Sequence, residues 1–453
     1  MKHKHTFFTA VCALAIPVAL QSMLQASFSI VDQIMIGQLG SVSVAGVGLA
    51  GKFASMYSVV VSAVGAVAGI QISQYLGQNH PGEVRSSFFR NLWLALGIAG
   101  LFSVLCLAFP QRIMGLYTRE MQTRQAAAGY LRIVAGTFLP MAGATLLSTL
   151  LRCQEKAQLP LYAGIVSAIL NTGLNYLLIF GKCGFPAMGA RGAAIATVLA
   201  QWGNFLAILA LSRGALPRRV QAAAGGHWRQ YAAMLVPILV CEGLWSLGEN
   251  VYAAIYGRMG TASSAAMTLI NPVQGLLIGA LCGLSQAAGV IIGKKLGSRE
   301  YDAAYRAAKK LLFYGFAGSA ALSAVVVAVS PFYVQIYRVD AEVKLLTGRI
   351  LLAYALIAPF KVLNMILGGG ILRSGGKTNY VMVIDMIGTW LFGVPLGLLA
   401  AFVWKMPIWL VYFLLSMEEC VRFGISMMVF RRKRWMQSLE AEEISYGTAC
   451  DNP

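Results

Sequence analysis

The sequence predicts an all-α integral membrane protein, with twelve transmembrane helices in two pseudo-symmetric six-helix lobes around a central cavity. Three observations predict it. Apolar residues make up 58% of the chain and charged residues only 12%, against about a quarter charged in soluble domains. The apolar residues fall into twelve runs close to the roughly 20 residues that a helix needs to cross a bilayer. The second half of the chain also repeats the first at an offset near 220 residues: Pro17 returns as Pro237, Gly37 as Gly257, Gly40 as Gly260, Ala45 as Ala265 and Gly77 as Gly297. The register drifts by a residue further on, at Pro140/Pro359 and Leu151-Arg152/Leu372-Arg373. An apolar duplication of this kind describes two lobes with a cleft between them.

In the first half the spans are 11–35, 45–73, 88–109, 127–150, 159–180 and 190–211; in the second they are 232–255, 265–292, 311–333, 347–370, 380–403 and 407–430. Helices satisfy their own backbone groups inside lipid, which open sheets do not. The short alternating segments of a transmembrane β-barrel are missing from the sequence. Lys2 and Lys4 ahead of an apolar run resemble a secretory leader, but the same segment recurs internally at 232–255, so the first run reads as a retained span. Six spans per half is an even number. Both halves therefore enter the membrane from the same side, as a parallel repeat. The expected domains are an N-terminal six-helix lobe over 1–215, a cytoplasmic linker over 216–231, a C-terminal six-helix lobe over 232–435 and a polar tail over 436–453. The linker is rich in Pro, Gly and Arg.

A net charge of +19 raises the question of nucleic acid, and its distribution answers it. With a cytoplasmic N-terminus, and counting residues near a span's end with the side they border, the cytoplasmic side holds 22 of the 36 Lys and Arg, the opposite side 11, and Lys52, Lys361 and Arg422 lie deeper inside spans. That is the positive-inside bias. It implies a multi-pass protein of the cytoplasmic (inner) membrane with both termini cytoplasmic, bound to a lipid bilayer and not to nucleic acid. The eight cysteines are scattered, with no CxxC or Cys/His cluster, which speaks against a metal centre or a disulfide framework. The four histidines (His3, His5, His80 and His227) fall in tails or loops, so no intramembrane catalytic constellation is seen and the chain reads as no enzyme. Arg373-Ser374-Gly375-Gly376-Lys377-Thr378 lacks the first glycine of a nucleotide-binding loop and reads as a turn between spans. No nucleotide is expected, and an ion gradient becomes the energy source.

Charge inside a membrane costs on the order of 2.5–3.5 kcal/mol per group, so each instance asks for a reason. Asp32 lies four residues before the outer end of the first span. Asn175 in the fifth span and Thr197 in the sixth sit at a matching depth, roughly 6–9 Å below the outer boundary at 1.5 Å per residue. Asn171 shares a helix face with Asn175, one turn deeper. A carboxylate, two amides and a hydroxyl at one depth fit oxygen coordination of Na⁺. They fit equally a hydrogen-bond cage around a proton carried by Asp32, or polar contacts that only join helices. Glu242 and Glu249, seven apart, share a face of the seventh span, and a cleft lined by carboxylates attracts cations. Asp385 lies near the cytoplasmic end of span eleven, with Lys377 nearby. Glu418 and Glu419 read as an ion-pair cluster with Arg422. For substrate contacts the candidates are Met23, Met56, Trp245, Tyr252, Met267 and Trp390, because thioethers adapt to varied ligands and aromatic faces bind organic cations. Packing against helices or lipid accounts for such residues equally well.

The Asp32 segment FSIVDQIMIGQLG, its repeat ENVYAAIYGRMG, the pair SQYLGQ and GKKLGS, and the segments NTGLNYLLIFG, RGAAIAT, LRSGGKTNYV and EECVRFGISMMVFRRKRW together resemble the multidrug and toxic compound extrusion (MATE) family over nearly the whole chain. The resemblance implies twelve helices in two V-shaped lobes, a central cavity and antiport of organic cations against H⁺ or Na⁺; the chain is expected to export organic cations or drugs, to need no cofactor and to work as a monomer. It also implies that Asp32 is the coupling residue and that Asn171, Asn175 and Thr197 are its neighbours in the ion site. Many members carry Asp where this chain has Asn175, which removes a negative ligand and leans the expectation towards H⁺. The alternative function, a flippase for a lipid-linked precursor in the same broad superfamily, calls for a basic cleft to hold pyrophosphate.

Overall fold

The computed structural model describes residues 7–215, 228–337 and 339–439. The expected linker therefore lies outside the described residues except at 228–231, and the expected tail except at 436–439. Among the described residues the secondary structure is helical, with no strand. In the first half α1 spans Phe7–Gly37, α2 Ser41–Gly77 and α3 Pro81–Ala108. The short α4 (Pro110–Gly115) precedes α5 (Met121–Val134) and α6 (Phe138–Cys153), which join through one tight turn of helix at Ala135–Thr137. Then come α7 (Gln158–Phe180) and α8 (Ala190–Leu211). The second half opens with α9 (Trp228–Arg258), α10 (Thr261–Gly297) and α11 (Tyr301–Ile336). α12 (Ala341–Asn364) continues through the wide π-helical turn Met365–Leu372, whose Gly368, Gly369 and Gly370 let it pack closely. α13 (Thr378–Met386), α14 (Val394–Leu398), α15 (Ile408–Ser416) and α16 (Glu418–Arg431) complete the chain.

The duplication read from the sequence recurs in the conformation. α1 and α9 are each 31 residues long, and α2 and α10 are each 37. Gly40 and Gly260, just before α2 and α10, take φ of 90° and 115°, a region open to glycine. Asn79 and Arg299, just after the same two helices, take φ of 57° and 60°. Pro17 and Pro237 both lie inside long helices, where a proline's missing N–H leaves one helical hydrogen bond unmade.

Eleven stretches of the described residues are long and apolar enough to cross a membrane. The twelfth expected span corresponds to α15 and α16, which are divided at Met417 and place Glu418, Glu419 and Arg422 just beyond the break. At 9 and 14 residues neither helix alone is long enough to cross a bilayer, and the three charges beyond the break pair among themselves. At 37 residues, α2 and α10 exceed the thickness of a bilayer, so they tilt or project beyond it.

By contacts the chain divides into two compact units. One, here the N unit, comprises Leu20–Ile72 and His80–Gly226; the other, the C unit, comprises Met1–Ala19, Ser73–Asn79 and His227–Pro453. Inside the N unit, Tyr57 packs against Phe138, the rings tilted by 38° with centroids 4.4 Å apart, and donates a 2.6 Å hydrogen bond to the Phe138 carbonyl, which gives a buried phenol its partner. α7 and α8 approach backbone to backbone: a Cβ at Gly192 would lie 2.5 Å from the Leu178 carbonyl oxygen. Small residues permit this kind of packing where lipid supplies no hydrophobic drive between helices. In the C unit, Gly370 packs against the Ser285 carbonyl, and Tyr305, Phe430 and Trp435 form a stack, with Phe430 centroids 4.9 and 5.7 Å from its neighbours.

Candidate functional site

Asp32 and Asn175 meet in the N unit. The close packing of α7 on α8 fixes Asn175 at full burial, one turn from the Gly192–Leu178 contact. Its amide nitrogen donates a 2.6 Å hydrogen bond to Asp32 Oδ1 and a 3.2 Å bond to Asn171 Oδ1. Both amide hydrogens of Asn175 are thus directed at oxygens, while its own Oδ1 is buried without a partner. Asp32 is half-buried, on the last turns of α1. Thr197 directs its hydroxyl to the Ala193 carbonyl of its own helix, at 2.9 Å, rather than to Asp32. The residue that sequence reasoning passed over is Tyr130 on α5. It is 8% exposed, lies against Thr197, and feels the Asp32 charge. A buried phenol on a helix with little apolar bias was the available signal.

The acids of the C unit separate into two groups. Glu242 pairs with Arg373 at 3.3 Å. Arg373 also reaches Cys241 Sγ at 3.4 Å, and the Cys241 thiol donates to Asp385 at 2.7 Å. Asp385 does not turn to Lys377; its other oxygen faces Arg422 Nε at 3.7 Å. Arg422 lies between Glu418 and Glu419, at 3.8 and 3.9 Å, and donates to Thr389. Tyr252 donates to Glu418, and Asn364 donates to Glu419 at 2.8 Å. One guanidinium therefore serves three carboxylates, and neutral donors complete their coordination, as a charge buried in a low dielectric requires. Beside this network opens a cavity of about 290 Å³. It is lined by Glu249, Tyr252, Met267, Lys361, Glu418 and Glu419, among others.

Of the expected substrate contacts, Glu249, Tyr252 and Met267 share that cavity. Glu242 and Asp385 belong to the ion-pair network. Trp245 is 48% exposed, and Trp390 donates to the Leu244 carbonyl at 3.3 Å. Met23 and Met56 belong to the N unit, where Met56 accepts a hydrogen bond from Tyr117 at 3.7 Å. The Arg373–Thr378 segment forms a turn, with Gly376 at φ 79°, as its composition predicts. Among the described residues no three His, Cys, Asp or Glu side chains converge as metal ligands.

A polytopic helical protein with an internal repeat and a hydrogen-bonded carboxylate inside its spans has the character of a membrane transporter. The MatE family model matches residues 17–177 and 237–399, two copies starting 220 residues apart (237 − 17), and the chain belongs to that family. It is a multi-pass membrane transporter and not an enzyme. Relatives include the probable multidrug resistance protein NorM of Bradyrhizobium diazoefficiens, 28% identical with 87% of each chain covered. The multidrug resistance protein MdtK of Yersinia enterocolitica is 23% identical, over 85% of this chain and 86% of that one. The uncharacterized transporter YisQ of Bacillus subtilis is also 23% identical, with the same coverage. Among solved structures, an outward-facing multidrug resistance MATE family transporter superposes with a TM-score of 0.85 at 17% identity, covering 94% of this chain and 96% of that one. A MOP superfamily transporter from Pyrococcus furiosus gives 0.84 at 16% identity, with the same coverage.

Proposed function

We propose that this chain is a secondary active antiporter of the cytoplasmic membrane, exporting organic cations or drugs in exchange for H⁺ or Na⁺, with Asp32 as the coupling group. The relatives named for multidrug resistance support the substrate class. The observation that carries the coupling role is the bond from fully buried Asn175 to Asp32. A carboxylate inside a span is costly, and this one is held by a dedicated donor.

The same bond favours H⁺ as the coupling ion. Na⁺ coordination requires oxygen atoms free to point at the ion. Here Asp32 Oδ1 and Asn171 Oδ1 are taken up by the Asn175 amide hydrogens, which leaves the unpartnered Asn175 Oδ1 and the second Asp32 oxygen, two ligands where an oxygen-coordinated cation takes about six. A proton binds the second carboxylate oxygen without disturbing those bonds. Loading and unloading it changes the charge of the site, which biases the two lobes (1–215 and 232–435) between outward and inward openings. Moving one monovalent cation outward against an inside-negative potential costs about 2.3 kcal/mol per 100 mV, and one inward H⁺ returns the same term. In this reading both termini are cytoplasmic, the transporter works as a monomer, and neither nucleotide nor cofactor takes part.

The flippase alternative asks for a surplus of basic groups. In the expected spans of the second half Glu242, Glu249, Asp385, Glu418 and Glu419 outnumber Arg349, Lys361 and Arg422, which favours cation export. The test is Asp32→Asn, assayed for gradient-driven dye efflux alongside its expression and thermal stability. Loss of efflux in a folded protein is the expected result, and efflux at the wild-type rate would remove Asp32 from the mechanism.

A further inference from the structure

Lys361 is the group that the account above leaves unused. It faces the 290 Å³ cavity of the C unit and feels the charges of Glu419, Glu249 and Glu418 across it, but among the described residues none of them comes within ion-pair distance of its ammonium. We propose that this cavity binds small zwitterions, with Lys361 receiving the anionic end of the ligand and Glu249 the cationic end. The inference rests on the transporter reading for the biological use of the site, and on the cavity alone for its chemistry.

The lining residues divide by whether their bonds are already made. Glu418 and Glu419 are committed, through Arg422, Tyr252 and Asn364. Glu249 is not; it has neither a hydrogen bond nor an ion pair among the described residues. A third uncommitted group is the hydroxyl of Tyr354, which lines the same cavity, is 1% exposed, and has no hydrogen-bond partner. A buried phenol without a partner is uncommon, because each unsatisfied polar atom costs about 1–3 kcal/mol. The open valences of the cavity are thus an ammonium, a phenol donor and a carboxylate.

Each ligand charge type meets this set differently. A simple cation satisfies Glu249 and is opposed by Lys361. A simple anion satisfies Lys361 and Tyr354 and is opposed by Glu249 and the two glutamates behind it. A molecule with one ammonium and one carboxylate matches all three groups and brings no net charge into a membrane-embedded site, where net charge is expensive. Tyr252, Tyr256 and Tyr412 supply aromatic walls that suit the ammonium end and an apolar substituent. The volume sets the size class: binding pockets for drug-sized ligands run from roughly 300 to 1,000 Å³, so this one takes a solute of amino-acid size.

The test uses three probes of one shape, L-phenylalanine, phenethylamine and phenylpropionate, binding to the purified full-length protein in detergent, read by calorimetry. No gradient is applied, so a failure of ion coupling at Asp32 does not affect the outcome. The wild type is expected to bind phenylalanine at least about tenfold more tightly than either probe lacking one charge, the effect expected of one charge-assisted hydrogen bond. Lys361→Met is expected to lose that preference and turn it towards phenethylamine. Tyr354→Phe, which removes one oxygen and keeps the fold, is expected to weaken phenylalanine several-fold and leave phenethylamine unchanged. Three results would overturn the proposal: no binding of phenylalanine at millimolar concentration, phenethylamine binding the wild type as well as phenylalanine does, or Lys361→Met and Tyr354→Phe both keeping the wild-type affinity for phenylalanine. The second result would make Lys361 an internal counter-ion and nothing more.

Discussion

Asn175 donates a 2.6 Å hydrogen bond to Asp32 across 143 residues of sequence, from the fifth span to the first. The bond joins the one acid of the first span to a side chain with no exposed surface, so any change in the charge of Asp32 is felt where α7 packs on α8. Its removal is the first prediction. Asn175→Leu keeps the volume and deletes the donor. A hydrogen bond to a charged group is worth about 1.5–3 kcal/mol, so coupled efflux is expected to fall at least about tenfold. Initial rates of dye efflux in vesicles check it. Asn175→Asp restores an acid and three free oxygens, and is expected to raise Na⁺-driven efflux relative to the wild type.

Tyr130 is expected to tune Asp32 without being essential to it. It lies between Thr197 and the field of the Asp32 charge. Tyr130→Phe should leave folding intact and shift the pH profile of efflux, whereas a residue serving only to pack would lower the whole profile uniformly. Efflux measured across a pH series distinguishes the two.

Gly192 should show how closely the site depends on helix packing. A Cβ there meets the Leu178 carbonyl carbon at 2.7 Å as well as its oxygen, and backbone has no rotamer by which to move aside. Gly192→Ala is expected to push α8 from α7, cost about 1–3 kcal/mol of stability as overpacking does, and loosen the Asn175–Asp32 contact. Thermal unfolding and efflux should therefore fall together.

Arg422 is expected to matter more for stability than any other basic residue in the spans. It serves Asp385, Glu418 and Glu419 from a 7% exposed position. Arg422→Gln strands the buried Glu418 and Glu419 and leaves the partly exposed Asp385 without its cation, and losing one partner of a buried pair costs about 3–5 kcal/mol. Arg373→Gln frees Glu242, whose side chain is 35% exposed, and should cost less. Unfolding temperatures in one detergent rank the two.

The architecture was legible in the sequence because a bilayer imposes coarse rules. The offset that pairs Pro17 with Pro237 and Gly40 with Gly260 returns as matched helices and matched backbone angles. The meeting of Asp32, Asn171 and Asn175 was legible as well, since depth follows from counting residues along a helix. Which partner each group takes within a layer was not. Thr197 stands at the predicted depth, yet a hydroxyl in a helix can bond its own carbonyl four residues back, and this one does. Asp385 passes over nearby Lys377 for Arg422, and Glu242 meets Arg373 across 131 residues; pairings this distant leave no trace in local spacing. Lys361 drew notice only as a charge inside a span, because nothing in its neighbourhood of sequence names the cavity it enters.

The central claim, that Asp32 couples export to an ion through its hydrogen bond with Asn175, is tested most directly by dye efflux from proteoliposomes of the purified protein. A pH gradient alone and a Na⁺ gradient alone are applied in turn, to the wild type and to Asp32→Asn. The account predicts efflux driven by the pH gradient, none driven by Na⁺, and neither in the variant. Efflux driven by Na⁺ alone, or by pH at full rate in Asp32→Asn, would contradict it.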